Sequence, residues 1–379
     1  MPIEAAAMKR ADDVPADAIA SIEQIIDAAR NGQPYILVDA EDRENEGDVI
    51  IPAQFATPSA INFMARHARG LICLAIAEER ARTLRLPPMV ADNNAGFRTA
   101  FTVSIEAREG VTTGISAQDR AHTISVAIDP TKGCDDVCSP GHVFPLVSRD
   151  GGVLVRAGHT EAAVDVSRLA GLLPAGVICE ILNEDGTMAR LPQLVEFSRL
   201  HGLPIGTIAD LISHRRRTER SIVRVHEEPF ETVYGSGFQL VVFRSLIDNI
   251  EHVALVRGRV SANETVLVRM HRMDLISDLL GPPLPRREYV QRALSRIGGH
   301  DGAGVIVFIR DPSISAISER RVNTLPTREQ HIRDYGVGAQ ILLDLGVGKL
   351  SLLTDSEARL SGIEGYGLQI TGRERLSHD

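Results

Sequence analysis

Residues 41–48, which read EDRENEGD, bring five carboxylates together with one cation, Arg43. Like charges at this spacing repel one another, so a solvated turn is the ordinary interpretation of such a run. Apolar segments lie on both sides, at 35–38 and 49–51, and Gly47 permits a sharp bend. Closely spaced carboxylate oxygens are also the ligands that Mg²⁺ takes, usually one or two of them with substrate completing the shell. The run is therefore a candidate divalent-metal site at the edge of a buried core.

A second polar segment, residues 156–165 (RAGHTEAAVD), combines a cation, a glycine, a histidine and the start of a helix. Thr160 is a natural N-cap, and a helix N-terminus attracts phosphate through its unpaired N–H groups and its dipole. An ion pair between Arg156 and a surface carboxylate explains the arginine equally well. His159 can offer a neutral imidazole to a metal ion.

Two further residues, His142 and Glu180, are candidate functional residues because of the residues that flank them. His142 follows Pro140 and Gly141, which predicts a turn that holds the imidazole, although a lone histidine is more often a surface or packed residue. Glu180 interrupts the apolar strand predicted at 177–181. A carboxylate in such a strand needs a partner or has a raised pKa, and both conditions are common at functional sites.

Length and charge restrict the class of protein. The 379 residues are enough for two domains at roughly 150 residues each. The net charge of −9 argues against a general nucleic-acid binder. No apolar stretch of about 18 residues predicts a membrane span, and the N-terminus lacks the pattern of a signal peptide, so we expect a cytoplasmic protein. Cys134 and Cys138 are not followed by a second ligand pair, which favours reduced thiols over a zinc site.

Hydrophobic periodicity predicts alternating helices and strands. Residues 1–16 are expected to be poorly ordered. The first half is expected to contain helices over 17–30 and 57–68, from about 116 and after Thr160, with strands at 35–38, 49–51, 72–76, 101–105 and 177–181 and a loop at 87–99. Strands at 238–243, 253–256, 266–268, 305–309 and 349–353 and a helix over 333–345 follow in the second half. The charged segment 214–220 is interpreted as a solvated linker.

The fold class that follows is α/β (α+β) in two domains. The first, 1–217, is expected to contain a mixed sheet packed by helices, and the second, 221–379, an α/β layer fold.

Nine blocks of the first half recur in order in one enzyme family. They are EDRENEGD and the segments 61–64, 68–73, 99–107, 110–121, 140–146, 156–165, 169–181 and 188–192. Through them residues 35–213 resemble 3,4-dihydroxy-2-butanone 4-phosphate synthase of riboflavin biosynthesis. This resemblance implies conversion of ribulose 5-phosphate into that product and formate, with Mg²⁺ or Mn²⁺ as the cofactor. It also implies a homodimer with its sites at the interface. From the charge and the hydrophobic pattern described above, no nucleic-acid or membrane partner is expected.

The resemblance also assigns roles to individual residues. It implies that Glu44 and His159 bind the metal and that His142 and Glu180 are essential for catalysis, with Asp48 as a third acid/base candidate. The implied substrate contacts are Arg43, Glu44, Asp48, Thr112, Arg156, Ala157, Gly158, His159, Thr160 and Glu180. Because the sites of this family lie between subunits, His142 is expected to serve the neighbouring subunit. Loop 87–99 is expected to move over the site.

The second half resembles GTP cyclohydrolase II, through segments 251–256, 266–269, 333–342, 352–354 and 362–368. That family holds a catalytic zinc ion through three cysteines, whereas the matching segment here, 271–278, reads HRMDLISD and no cysteine occurs after residue 220. The family's nucleotide segment is replaced by 310–315, and its catalytic aspartate by His331, although Arg333 remains. Without thiolates no zinc and no activated water are expected, so this half is predicted to lack cyclohydrolase activity.

Overall fold

The computed structural model describes residues 18–41, 43–280, 288–311, 328–355 and 366–376, without the side chains of Leu275 and residues 328–335. The chain divides into two compact units, Met1–Arg215 and Arg216–Asp379. The disorder expected for residues 1–16 lies outside the described residues.

The first unit contains a seven-stranded mixed sheet in the order β4-β5-β3-β6-β2-β1-β7. Its strands are β1 Tyr35–Val38, β2 Gly47–Pro52, β3 Cys73–Ile76, β4 Ile105–Ala107, β5 Val137–Val147, β6 Ala175–Glu180 and β7 Ile205–Thr207. β2 lies between β1 and β6 and is antiparallel to both. The acidic run therefore connects β1 to β2. Glu180 lies on β6, the other neighbour of β2.

Helices cover both faces of this sheet. They are α1 Ile22–Arg30, α2 Pro58–Phe63, α3 Glu78–Thr83, α4 Ala117–Ile128, α5 His159–Leu169, α6 Leu191–His201 and α7 Ile208–Thr218. One core joins α2, α4 and α6 to the sheet, and a second core on the other face joins α1, α5 and α7. Since both faces are buried, the central strands are continuously apolar, which is the pattern that the sequence showed at 35–38.

Two predicted elements of this unit have different limits. The first helix begins at Ile22 because Ser21 and Gln24 form a capping box, while the Ala20 N–H bonds the carbonyl of Ile205. The strand predicted at 101–105 is present only as β4, from Ile105. Thr102 forms an isolated bridge with Pro88 and donates its N–H to the carbonyl of Pro145 in β5. Since Pro145 has no N–H, it cannot donate a bond in return.

Segment 214–220 contains the boundary between the two units, but it is not the solvated linker that was predicted, because α7 continues to Thr218 and buries one of its arginines. Arg215 donates to Asp165 of α5 over 2.6 Å and to the carbonyl of Gly151 over 2.9 Å. Burial raises the pKa of Asp165, and the charge of Arg215 opposes that rise. The arginine cluster therefore supplies an internal ion pair, which composition alone did not indicate.

Replacement of this buried arginine is expected to destabilise the first unit. In Arg215→Met the carboxylate of Asp165 loses its main counter-charge, which typically costs about 3–5 kcal/mol. Amide hydrogen exchange in α5 measures the loss as a lower free energy of opening. Arg217→Met, an exposed position on the same helix, is the control. Equal protection of α5 in both variants would contradict the prediction.

The second unit contains another seven-stranded sheet, in the order β14-β13-β11-β12-β10-β9-β8. Its strands are β8 Ile222–Thr232, β9 Gly235–Ser245, β10 Glu251–Arg257, β11 Thr265–Arg272, β12 Gly304–Ile309, β13 Lys349–Leu353 and β14 Gln369–Glu374. Among the described residues of this unit, the helices are α8 Leu275–Leu280, α9 Tyr289–Gly298 and α10 Arg328–Asp344. Apolar side chains of α9 and of α10 join separate cores. The predicted α/β layers are confirmed in both units.

Candidate metal and phosphate site

Asp39 organises the acidic loop between β1 and β2. Its buried carboxylate accepts hydrogen bonds from Arg43 Nη1 at 2.9 Å, from the Glu44 N–H at 3.0 Å and from the Glu46 N–H at 2.8 Å. These bonds fold the loop back on the end of β1 and hold Glu44 at a fixed position. Sequence reasoning missed Asp39, although an acid directly after a buried strand was a visible signal.

His159 faces this loop from the start of α5. Its Nε2 lies 3.2 Å from the Leu37 carbonyl, and because a carbonyl only accepts, Nε2 carries the proton. The lone pair of Nδ1 then points toward Glu44 Oε2 at 3.9 Å and Asp48 Oδ1 at 3.8 Å. Burial lowers the pKa of His159 to about 4, so the imidazole is neutral near pH 7. This is the tautomer and charge state of a metal ligand.

Asp48 and Glu180 lie opposite each other on β2 and β6. Burial, followed by the charge of Glu180, raises the pKa of Asp48 well above its ordinary value, and Asp48 Oδ1 has no hydrogen-bond partner. Burial also raises the pKa of Glu180, although its Oε2 accepts the N–H of Leu71 at 2.8 Å. The two carboxyl groups are thus close, poorly hydrated and suited to exchanging protons.

These residues fit a divalent cation. Asp39, Glu44 and His159 each offer a ligand atom, and the three atoms lie within 4.8 Å of one another. Asp39 already uses both oxygens in the loop, whereas Asp48 Oδ1 is buried and unpaired beside Nδ1 of His159. Carboxylate oxygens with one neutral imidazole form a donor set for Mg²⁺ or Mn²⁺.

Two guanidinium groups converge at the N-terminus of α5. A Cβ added to Gly158 would lie 2.4 Å from Arg156 Nη1 and 3.1 Å from Arg43 Nη2, so both guanidinium groups lie against this glycine. Gly158, and not Thr160 as predicted, is the N-cap; Thr160 is buried as the second helical residue. Ala157 packs partly buried beside the core. Two cations at a helix N-terminus provide the setting for a phosphate group.

Loop 87–99 contacts both of these arginines. Arg156 Nη2 donates to the carbonyl of Phe97 and to Thr99 Oγ1, each at 3.2 Å, while the Arg43 guanidinium lies 5.4 Å from the centre of the Phe97 ring. The buried Glu161 fixes Arg156 from the other side at 2.7 Å. Arg156 therefore pairs with an internal carboxylate, and not with the surface carboxylate that was the alternative explanation for this arginine. The motion predicted for the loop stays a prediction.

His142 and Thr112 each contact a carboxylate outside the Glu44 and His159 group. His142 lies within β5 and not on a turn as predicted. The backbone of residues 139–142 is not paired with β4, because Ile105 pairs with Val143 and Glu106 with Cys138. Nδ1 of His142 is 2.7 Å from Glu106 Oε2. Thr112 donates to Asp119 through both its N–H and its hydroxyl. Sequence reasoning missed Glu106 and Asp119.

Segment 271–278, which lacks the cysteines of the cyclohydrolase family, covers the end of β11 and the start of α8. Nε2 of His271 lies 3.0 and 2.9 Å from the two carboxylate oxygens of Asp278, which also accepts the Asp274 N–H. All four cysteines of the chain lie in the first unit and form no disulfide. Of the predicted nucleotide segment, residues 312–315 lie outside the described residues, as do the side chains of His331 and Arg333.

Comparison with known proteins decides the family. The model of the 3,4-dihydroxy-2-butanone 4-phosphate synthase family matches residues 23–214, and that of GTP cyclohydrolase II matches residues 223–375. The chain belongs to the 3,4-dihydroxy-2-butanone 4-phosphate synthase family. Its second part is a GTP cyclohydrolase II-type domain, so both parts of the predicted resemblance are confirmed.

Relatives of this synthase family extend over nearly the whole chain. The riboflavin biosynthesis protein RibBA of Synechocystis is 48% identical over 375 residues, which cover 93% of this chain and 67% of that protein. RibBX of A. baumannii, a two-domain 3,4-dihydroxy-2-butanone 4-phosphate synthase, matches with a TM-score of 0.78 and 41% identity over 94% of this chain and 99% of its own.

A synthase solved with two magnesium ions matches with a TM-score of 0.51 and 41% identity, over 53% of this chain and 98% of its own. Every residue proposed from the sequence for metal, substrate or catalysis lies in the part matched by the synthase family. Among the described helices, none is long and apolar enough to cross a membrane.

Proposed function

We propose that this chain converts D-ribulose 5-phosphate into L-3,4-dihydroxy-2-butanone 4-phosphate and formate with a divalent metal. The observation that carries the proposal is the neutral His159, whose Nδ1 faces Glu44 and the unpaired oxygen of Asp48. In this proposal Glu44 and His159 hold Mg²⁺ or Mn²⁺. When bound, the metal polarises the ketone and the adjacent hydroxyl of the sugar.

The residues around the metal position divide into a holding group and a proton-transfer group. Arg43, Arg156 and the 158–160 backbone hold the phosphate, and Thr112 contacts the sugar. Binding the phosphate at a distance from the reacting carbons fixes their orientation. Burial raises the pKa of Asp48 and of Glu180, so each holds a proton more readily than an exposed carboxyl group does. His142 is the third group that moves protons.

We infer that the working form is a homodimer in which His142 completes the partner's site. Among the described residues, the hydrogen bond of the His142 ring goes to Glu106 and not to the Glu44 group. Large apolar side chains are exposed directly beside site residues, namely Leu71, Phe97, Ile115 and Val155. Covering such side chains is a usual role of a subunit interface.

Formate production tests the proposed reaction. Purified protein is incubated with ribulose 5-phosphate and Mg²⁺, and formate is followed by proton NMR, with EDTA as the control. We expect one formate for each sugar consumed and none with EDTA. A folded dimer that forms no formate with Mg²⁺ or Mn²⁺ would exclude the synthase reaction and favour a non-catalytic scaffold.

We also propose a division into a synthase domain, 1–217, and a GTP cyclohydrolase II-like domain, 221–379, which is structural or regulatory and lacks cyclohydrolase activity. Zinc at a catalytic site normally takes three protein ligands, and in its family this domain uses thiolates that are missing here. The imidazole of His271 is already engaged with Asp278.

A zinc measurement tests this division. After dialysis, we expect the full-length protein to contain no stoichiometric zinc in its second domain. After incubation of the protein with GTP and added Zn²⁺, we expect the GTP to be recovered unchanged. Metal content is read by mass spectrometry and GTP by chromatography, with a cysteine-containing GTP cyclohydrolase II as the positive control. GTP turnover by this chain would show that another ligand set replaces the cysteines.

A further inference from the structure

Glu106 lies on β4, the strand next to β5, which carries His142. Its carboxylate oxygen Oε2 is 2.7 Å from Nδ1 of His142. The Glu106 side chain is 12% exposed, whereas the His142 side chain is 44% exposed. A buried carboxylate that contacts one nitrogen of a half-exposed imidazole leaves the other nitrogen for chemistry.

The surroundings of Glu106 hold its carboxylate in place. Gly114 has φ of +84°, and a Cβ added there would lie 2.0 Å from Glu106 Oε2. The backbone of loop 110–116 therefore lies close against the carboxylate. From α4, the hydroxyl of Thr123 approaches Glu106 Oε1 at 3.4 Å and accepts the N–H of Ala107 at 3.0 Å. Loop 110–116 and helix α4 thus restrict the movement of the carboxylate from two sides.

The backbone that carries His142 is fixed against the same strand. Gly141 approaches so closely that an added Cβ would lie 2.0 Å from the carbonyl oxygen of Ile105. The Gly141 N–H donates to Ser104 Oγ at 3.1 Å, and Ser139 Oγ donates to the Ser104 carbonyl at 2.7 Å. Both members of the pair are therefore placed by packed backbone, which is what a positioned acid–base group requires.

We propose that Glu106 is a positioning residue for His142. Glu106 accepts a hydrogen bond from Nδ1–H, so that the lone pair of neutral His142 resides on Nε2. When Nε2 takes a proton from the sugar, the Glu106 carboxylate stabilises the resulting imidazolium, and the same proton is later returned from Nε2. This role rests on the proposed function, in which His142 exchanges protons with the substrate.

Kinetics of three variants test the role of Glu106 in the full chain with Mg²⁺ and ribulose 5-phosphate. Glu106→Gln is nearly isosteric, but its amide can present N–H to Nδ1 and so move the histidine proton to Nε2. We expect kcat to fall about 10²–10⁴-fold in Glu106→Gln and in Glu106→Ala, with KM changed less than about threefold, because the loss affects proton transfer and not phosphate binding. Glu109→Gln, an exposed glutamate of the same segment, is the control and keeps the parent kcat.

Nitrogen-15 NMR of histidine-labelled protein provides a readout that would not change if Glu106 only filled space in the core. His142→Asn identifies the signals of His142. In the parent the neutral ring is expected to carry its proton on Nδ1, and in Glu106→Ala mainly on Nε2, the tautomer that water favours. A Glu106→Gln kcat within threefold of the parent, or an unchanged tautomer in Glu106→Ala, would overturn the proposal.

These readouts separate this proposal from the proposed function. If the parent forms no formate, the reaction is wrong, and the tautomer still decides whether Glu106 sets the protonation of His142. If Glu106→Ala fails to fold, the isosteric Glu106→Gln decides through both kcat and the NMR signal. If His142→Asn keeps full activity, the proton-transfer role of His142 fails and that of Glu106 with it.

Discussion

Glu44→Ala is expected to abolish formate production. Glu44 Oε2 lies 3.9 Å from Nδ1 of His159, and removal of this carboxylate leaves the metal one proposed ligand short. A bound metal contributes several kcal/mol to transition-state stabilisation, which corresponds to a rate loss of about 10³-fold or more. Formate release measured at saturating Mg²⁺ checks the rate.

Metal affinity provides a second measurement on the same variant. Loss of an outer-shell partner already weakens metal binding by about 10–100-fold, so loss of a direct ligand is expected to weaken Mn²⁺ binding at least as much. Electron paramagnetic resonance of Mn²⁺ titrations gives the dissociation constant. Glu41→Ala, an exposed glutamate of the same loop, is the matched control and is expected to keep both rate and affinity. Unchanged Mn²⁺ affinity in Glu44→Ala would show that the metal lies elsewhere.

The central strands and the principal site positions were predictable because their signals are local. Tyr35–Val38 is buried along its whole length, and a continuous apolar run is how such a strand reads in the sequence. Glu44 and Asp48 lie between two such apolar runs, 35–38 and 49–51. The pattern alone therefore predicted a polar site between these two strands. His159 followed from a helix start after a glycine, although the cap itself is one position earlier than the histidine.

The remaining features depend on contacts between residues far apart in the chain. Glu106 meets His142 across 36 positions, and Asp165 meets Arg215 across 50. Neither pair has a spacing that helix or strand periodicity could reveal, and each arises only when the sheet and its helices assemble. Asp39 was missed for another reason, because its role is to accept N–H groups of the loop backbone, which a list of charged side chains does not display.

Mixing two inactive variants is expected to restore activity if the site is shared between subunits. In the structure Glu44 and His159 lie together in one chain, whereas the His142 ring contacts Glu106. A mixed dimer of His142→Ala and Glu44→Ala chains then has one site in which both substitutions meet and one site that is intact. With random exchange of equal amounts, half of the dimers are mixed, so about a quarter of the wild-type formate rate is expected.

The pairing of Glu44→Ala with His159→Ala is the matched control for this experiment. Since both residues belong to the same metal group of one chain, every site in their mixed dimer lacks a ligand, and no activity is expected to return. Native mass spectrometry of differently tagged chains confirms that mixed dimers have formed. If those dimers are present and the His142→Ala mixture stays inactive, His142 acts within its own subunit, and the exposed apolar side chains beside the site require another explanation.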